Sequence, residues 1–239
     1  MMDQKSQNAR TAKTFDNYTN HYSNAVNDSI NFSGLKVDFF TKVKFDYLVD
    51  ICRKHFGSTD KLSLLDIGCG IGNIHKLVSE EFGQLTGVDI SSESINRASQ
   101  EHENVNYKTY DGETLPYPDN SFDVAYAICV VHHVPVDLWE NFTKEMHRIV
   151  KPNGLAIIFE HNPKNPLTMK VVNDCPFDED AVLLNSKTTN DLLQNAGFKS
   201  TNKRFILTVP AANNFLRKID GLFSKLPIGA QYFVAAHKN

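Results

Sequence analysis

The chain has 239 residues, 41% of them hydrophobic, enough apolar material for one substantial core and a single catalytic-sized domain. Its formal net charge of −3 provides no chain-wide basic field, which argues against general nucleic-acid binding. The four cysteines (Cys52, Cys69, Cys129, Cys175) make no CxxC pair and no metal-ligand spacing, the longest apolar run is Val124–Val131, and the start Met1–Gln7 is polar. The expectation is therefore a reduced, cytoplasmic protein without signal peptide, membrane span or metal.

Residues 1–30 are polar, with Phe15, Tyr18 and Tyr22 spaced as on one face of a short helix, which reads either as a frayed tail or as a cap. Residues 34–56 continue as a helix, with Phe39, Val43, Tyr47 and Ile51 at steps of four. Strand and helix then alternate. Leu62–Ile67 is a strand, and Ile74, Leu77, Val78 and Phe82 form the apolar stripe of the next helix. Leu85–Asp89 is the second strand, followed by a helix capped by Ser91 with Glu93 in its first turn. The third strand is expected near Val105–Thr109, and the fourth is Phe122–Val131, apolar enough for a central parallel strand. Pro135 is expected to open a helix with the stripe Leu138, Phe142, Met146 and Ile149, stopped by Pro152 and Gly154 before a fifth strand, Leu155–Phe159. A long, proline-broken loop follows, then a helix Thr188–Ala196 capped by Ser186, and two more strands near Arg204–Val209 and Gln231–Ala236. The alternation predicts a doubly wound, mostly parallel α/β sheet.

The most informative stretch is Asp66-Ile67-Gly68-Cys69-Gly70-Ile71-Gly72-Asn73. Glycines at 68, 70 and 72 let a strand-to-helix turn approach a ligand closely, and the following helix offers its free N–H groups. Asp89 closes the next strand 21 residues after Gly68 (89 − 68), where such folds keep a carboxylate for ribose hydroxyls.

In four blocks the chain resembles the class I S-adenosylmethionine-dependent methyltransferases, in the small-molecule branch related to the ubiquinone and menaquinone enzymes. The blocks are Leu64–Gly72; Gly87-Val88-Asp89-Ile90-Ser91; Asp111-Gly112-Glu113-Thr114-Leu115-Pro116-Tyr117; and Ser121–Val124 through Val131-His132-His133-Val134 to Arg148–Gly154. Asn153 stands where that family usually has glycine, and asparagine tolerates the left-handed conformation. The resemblance implies a Rossmann-like seven-stranded sheet with the last strand antiparallel. It also implies a helical cap over 1–56 that closes on the cofactor, a methyltransferase domain over 57–239, and lid segments near 161–187 and 210–228.

It implies roles as well. Asp66 and the backbone of Gly68, Cys69, Gly70 and Gly72 would hold the methionine part of S-adenosylmethionine, Asp89 the ribose, and Ile90 the adenine face. Asp111, with the Gly112 and Glu113 backbone, would read the adenine edge. Cys129 would sit beside the methyl as a small packing residue. Methyl transfer needs alignment and exclusion of water more than covalent help, so a base matters only for a hydroxyl acceptor. His133 is the first candidate. Of Glu160 and His161, which point oppositely at a strand tip, Glu160 is favoured.

The acceptor is expected to be a small molecule, methylated at oxygen in preference to carbon or nitrogen, with a lipid- or glycan-linked compound in view. Phe215, Leu216, Ile219, Leu222, Phe223 and Leu226 share one helical face. That face packs on its own domain, or else covers the acceptor, a membrane surface or a second subunit. Two other readings stand beside this one: a cofactor-binding regulatory protein of the same fold, and an NAD-linked oxidoreductase, which GxGxxG would favour only with Gly or Ala at position 73, where this chain has Asn73.

Overall fold

Seven strands form one sheet in the order β3-β2-β1-β4-β5-β7-β6 in the computed structural model, which describes residues 4–18, 22–31, 34–211 and 213–239. They are β1 (Ser63–Ile67), β2 (Gln84–Asp89), β3 (Asn106–Thr109), β4 (Phe122–Ile128), β5 (Val150–His161), β6 (Lys199–Ile206) and β7 (Gln231–His237). β1 to β5 pair in parallel, and β7 runs antiparallel to both β5 and β6. The chain order reverses between β1 and β4, so the carboxyl ends of those strands open on a crevice.

Successive side chains of a strand face opposite ways, and this divides the core into two layers. Leu65, Ala125 and Ile158 pack under α6 (Trp139–Ile149) and α8 (Ser186–Asn195), while Leu64, Val124 and Tyr126 pack under α3 (Val37–Phe56) and α4 (His75–Glu81). α6 carries Phe142, Met146 and Ile149 on its buried face, as the sequence stripe requires. α5 (Ser92–Glu101) starts where Ser91 accepts a hydrogen bond from Ser94 N.

Several boundaries differ from the sequence expectations. β4 stops at Ile128, because Cys129 turns into the left-handed region at φ 56 and a 3-10 turn, Val131–His133, follows. α6 begins at Trp139 after a second such turn, Val136–Leu138, so Pro135 precedes the helix at a distance. Pro152 and Gly154 lie within β5, which starts at Val150 because that residue still pairs with Phe122 across a register shift. Asn153 adopts φ 62 there. Asn185, rather than Ser186, caps α8 by accepting from Lys187 N and Thr188 N.

The proline-broken loop contains α7 (Pro166–Asp174), started by Asn165 with Pro166 in its first turn. α1 (Gln4–Tyr18) and α2 (Tyr22–Ile30) precede α3, and the Tyr18 and Tyr22 side chains of the expected stripe lie outside the described residues. α9 (Asn214–Leu222) does not bury its apolar stripe as a whole, one of the arrangements the sequence left open. Its one buried residue is Asp220, whose carboxylate accepts from Tyr47 Oη at 2.8 Å and from Leu207 N and Thr208 N. Phe215 and Leu222 instead stand 70% and 80% exposed.

Candidate active site

The turn after β1 is built so that only glycine fits its first position. Gly68 has φ 75, and a Cβ there would lie 2.5 Å from a methyl of Val130. A Cβ at Gly70, φ 52, meets nothing within 4 Å and would project into open space. That space is a cavity of about 180 Å³ over the carboxyl ends of β1, β2 and β4. Asp66, Gly68, Cys69, Gly70, Asp89, Ile90, Gly112, Cys129 and His133 all line it. Gly72 does not, since it serves the turn, with its N–H donating to Cys69 O.

Asp89 is held from two sides: Oδ2 accepts from Gly70 N at 2.7 Å and Oδ1 from Ser91 N at 2.9 Å. Each oxygen keeps a further lone pair for hydroxyl donors. Burial raises the Asp89 pKa to about 6, against the opposing pull of those N–H groups. Asp66 is anchored by His75 Nε2 at 3.0 Å, and His75 Nδ1 in turn pairs with Tyr107 Oη at 2.5 Å. His75 went unnoticed in the sequence, because a histidine at the start of an amphipathic helix has no spacing that marks it.

Asp111 and Glu113 are placed differently from the expectation. The Asp111 carboxylate accepts from Glu113 N and Thr114 N, closing its own turn, while Tyr110 and Gly112 face the cavity. α1 supplies Asn8, Thr11 and Phe15 to the same wall, and Phe15 meets His133 edge-on at 5.0 Å between ring centres.

A second cavity, about 370 Å³, adjoins the first. Val37, Lys44, Cys129 and His133 belong to both, so these four form the throat between them. The second cavity is mainly apolar beyond the throat, with Val26, Ile30, Phe39, Phe40 and Val171 on its walls. At the throat, burial would raise the Cys129 thiol, but Lys44 and His161 beside it bring its pKa down to about 7.

Glu160 does not face either cavity, which overturns its choice as a base. It is 1% exposed; Oε1 accepts from Val131 N at 2.8 Å and Oε2 pairs with His132 Nδ1 at 2.5 Å. Of the strand-tip pair, His161 lines the second cavity. Burial opposes charge on both partners, yet Glu160 holds the His132 pKa well above the usual histidine value and His132 holds Glu160 below the usual carboxylate. The pair is an ion pair.

Asp178, from the segment after α7, approaches His133 Nε2 at 3.3 Å and His132 Nε2 at 3.8 Å, and the two imidazoles lower its pKa against the effect of burial. Burial, and then the charged His132, lowers the pKa of His133. The donor atoms of His132, His133 and Asp178 lie within 4.8 Å of one another, a grouping that a metal ion would also accept and that linear spacing did not reveal. Asp178 was missed for the same reason, being 45 residues along the chain from His133 (178 − 133).

Comparison with known proteins agrees with this geometry. A family model described as a methyltransferase domain matches residues 65–158. A 2-methyl-6-phytyl-1,4-hydroquinone methyltransferase of Synechocystis is 29% identical over 134 residues, 53% of this chain and 41% of that protein. A 27-O-demethylrifamycin SV methyltransferase of Amycolatopsis mediterranei is 35% identical over 98 residues, 38% of this chain and 35% of that protein. The match thus spans less than half the length of these curated relatives.

Among solved structures, a SAM-dependent methyltransferase from Archaeoglobus fulgidus superposes with a TM-score of 0.61 at 20% identity, covering 81% of this chain and 94% of that one. Among the described residues no helix is long and apolar enough to cross a membrane. Residues 65–158 are thus a methyltransferase domain, and the sheet order and the glycine turn facing a buried, doubly anchored carboxylate give the chain the fold of the class I S-adenosylmethionine-dependent methyltransferases.

Proposed function

We propose that this protein transfers a methyl group from S-adenosylmethionine to an oxygen of a small, largely apolar molecule held in the second cavity. The observation that carries the reading is the throat: four residues wall both cavities, so a donor in one and an acceptor in the other meet there and nowhere else along their walls. The residues fit the donor. Asp89 presents lone pairs for ribose hydroxyls, Ile90 offers an apolar face, and the open side of Gly70 lets backbone approach the amino-acid end. When bound, S-adenosylmethionine supplies a methyl carbon made electrophilic by its sulfonium.

The chain's own residues position and deprotonate. Glu160 locks His132 and, through Val131 N, the 3-10 turn that carries His133 to the throat. Asp178 accepts from His133 Nε2, which leaves Nδ1 with the lone pair that takes the acceptor's hydroxyl proton. A histidine kept neutral by burial is in the required state near neutral pH. Phe15 and Phe177 cover this group, and α1 with the segment around α7 serves as the lid that excludes water.

The test is a panel of apolar phenols, alcohols, amines and activated carbon acids, offered with donor carrying a 13C-labelled methyl. The expected product signal is an O-methyl resonance, with turnover lowered at least about 100-fold in His133→Ala. A C- or N-methyl product refutes oxygen as the site, and undiminished turnover in the variant refutes the base.

A further inference from the structure

Lys44 is out of place by the ordinary rules of burial. It sits on α3 among Val43, Tyr47 and Leu48, all committed to the core, and is itself only 9% exposed. Its ammonium stands 3.7 Å from Cys129 Sγ, and among the described residues no carboxylate forms an ion pair with it, so below the Cys129 pKa of about 7 its one close polar neighbour is a neutral thiol. A buried cation whose close neighbour is neutral is completed by an anionic ligand.

A second polar group on the same wall lacks a partner. Gln231 is 6% exposed, and its Oε1 accepts no hydrogen bond, while its Nε2 approaches His161 Nδ1 at 3.4 Å and Cys129 Sγ at 3.8 Å. Gln231 and His161 line the second cavity alone, and Gln231 Nε2 approaches the same Cys129 sulfur as Lys44, which lines both cavities. One group there lacks negative charge and the other lacks a hydrogen-bond donor.

We propose that the acceptor is an acidic hydroxyl compound with an apolar body, a phenol, enol or carboxylic acid, whose ionised oxygen is held against Lys44 at the throat. This rests on the oxygen-methylation reading and narrows its substrate class. An amine acceptor carries the wrong charge beside Lys44, and an aliphatic alcohol stays protonated there. Val26, Ile30, Phe39 and Phe40 take the acceptor's apolar body. From a phenol or enol His133 removes the proton and Lys44 stabilises the oxyanion left behind, whereas a carboxylic acid arrives already ionised and needs Lys44 alone.

Equilibrium binding tests this without knowledge of the natural acceptor. The full chain, saturated with S-adenosylhomocysteine, is titrated at pH 6, where Cys129 with its pKa of about 7 is a neutral thiol and the probe acid is ionised, with dodecanoate and with dodecan-1-ol, which share an apolar chain and differ in charge. Wild type is expected to bind dodecanoate at least roughly tenfold more tightly; Lys44→Met abolishes that preference and Lys44→Arg retains it. Because it removes a buried charge whose close neighbour is a neutral thiol at pH 6, Lys44→Met is also expected to melt at or above the wild-type temperature at that pH.

Equal affinity for the two probes, no binding of dodecanoate, or a preference that survives Lys44→Met overturns the proposal. So does a loss of S-adenosylhomocysteine affinity in Lys44→Met with the acid preference intact, which assigns the ammonium to the cofactor's carboxylate. Failure of wild type to bind S-adenosylhomocysteine at all is a different result, since it sinks the methyl-transfer reading.

Discussion

Removing the Glu160 carboxylate separates a positioning role from a catalytic one. Glu160→Ala deletes the acceptor for Val131 N and the nearer of the two carboxylates on a buried His132, leaving Asp178 at 3.8 Å. Breaking a buried ion pair by removing one partner costs about 3–5 kcal/mol, which includes the penalty for the orphaned charge. Domains of ordinary stability have roughly 5–15 kcal/mol in total, so a large share of the folding free energy is at stake. With an m-value toward the upper end of about 1–3 kcal/mol/M, the urea midpoint should fall by roughly 1–2 M. Trp139, the single tryptophan, reports the change directly, because its Nε1 donates to Val131 O and Val134 O in the turn that Glu160 holds. Glu160→Gln keeps an acceptor without the charge and should lose about 1–3 kcal/mol. A midpoint for Glu160→Ala within about 0.3 M of wild type, measured by urea titration of Trp139 fluorescence, would falsify the ion-pair account. If stability were unchanged and turnover abolished, Glu160 would return to the role the sequence suggested.

Two further outcomes follow from the cofactor side. Asp89, with its pKa raised by burial to about 6, holds a proton in the folded state between about pH 4 and 6 that the unfolded chain has released. Its contribution to stability is therefore present below about pH 4 and lost as pH rises through 6, while affinity for S-adenosylhomocysteine should rise over the same interval as the carboxylate forms. Calorimetry at pH 5 and pH 8 checks this, and affinity independent of pH across that range contradicts it. Gly68→Ala combines left-handed strain of about 1–2 kcal/mol with a Cβ only 2.5 Å from a Val130 methyl, an overpacking term of about 1–3 kcal/mol. Melting temperature should drop clearly, and adding Val130→Ala should recover the packing part only. Full recovery would mean that the backbone angle carries no strain.

Local pattern was enough to pick out residues that the fold brings to one cavity. A glycine turn after an apolar strand, an aspartate closing the next one and alternating helical stripes are short-range signals, and Asp66, Gly68, Gly70, Asp89 and Ile90 all face one cavity. The acceptor half depends on contacts across long chain separations. Glu160 pairs with His132 across 28 residues and Lys44 stands beside Cys129 across 85, so no window of sequence contains either contact. The direction of a strand-tip side chain was equally beyond the pattern. β5 runs on to His161 and pairs with β7, which aims Glu160 inward at the Val131 turn and leaves His161 to the cavity. α9 marks the same division: its apolar stripe is periodic in sequence, yet the carboxylate of Asp220, answering Tyr47 Oη and three backbone N–H groups, determines which face is buried. Periodicity specifies that a helix has two faces, and the hydrogen-bond demands of the surrounding fold select the one turned inward.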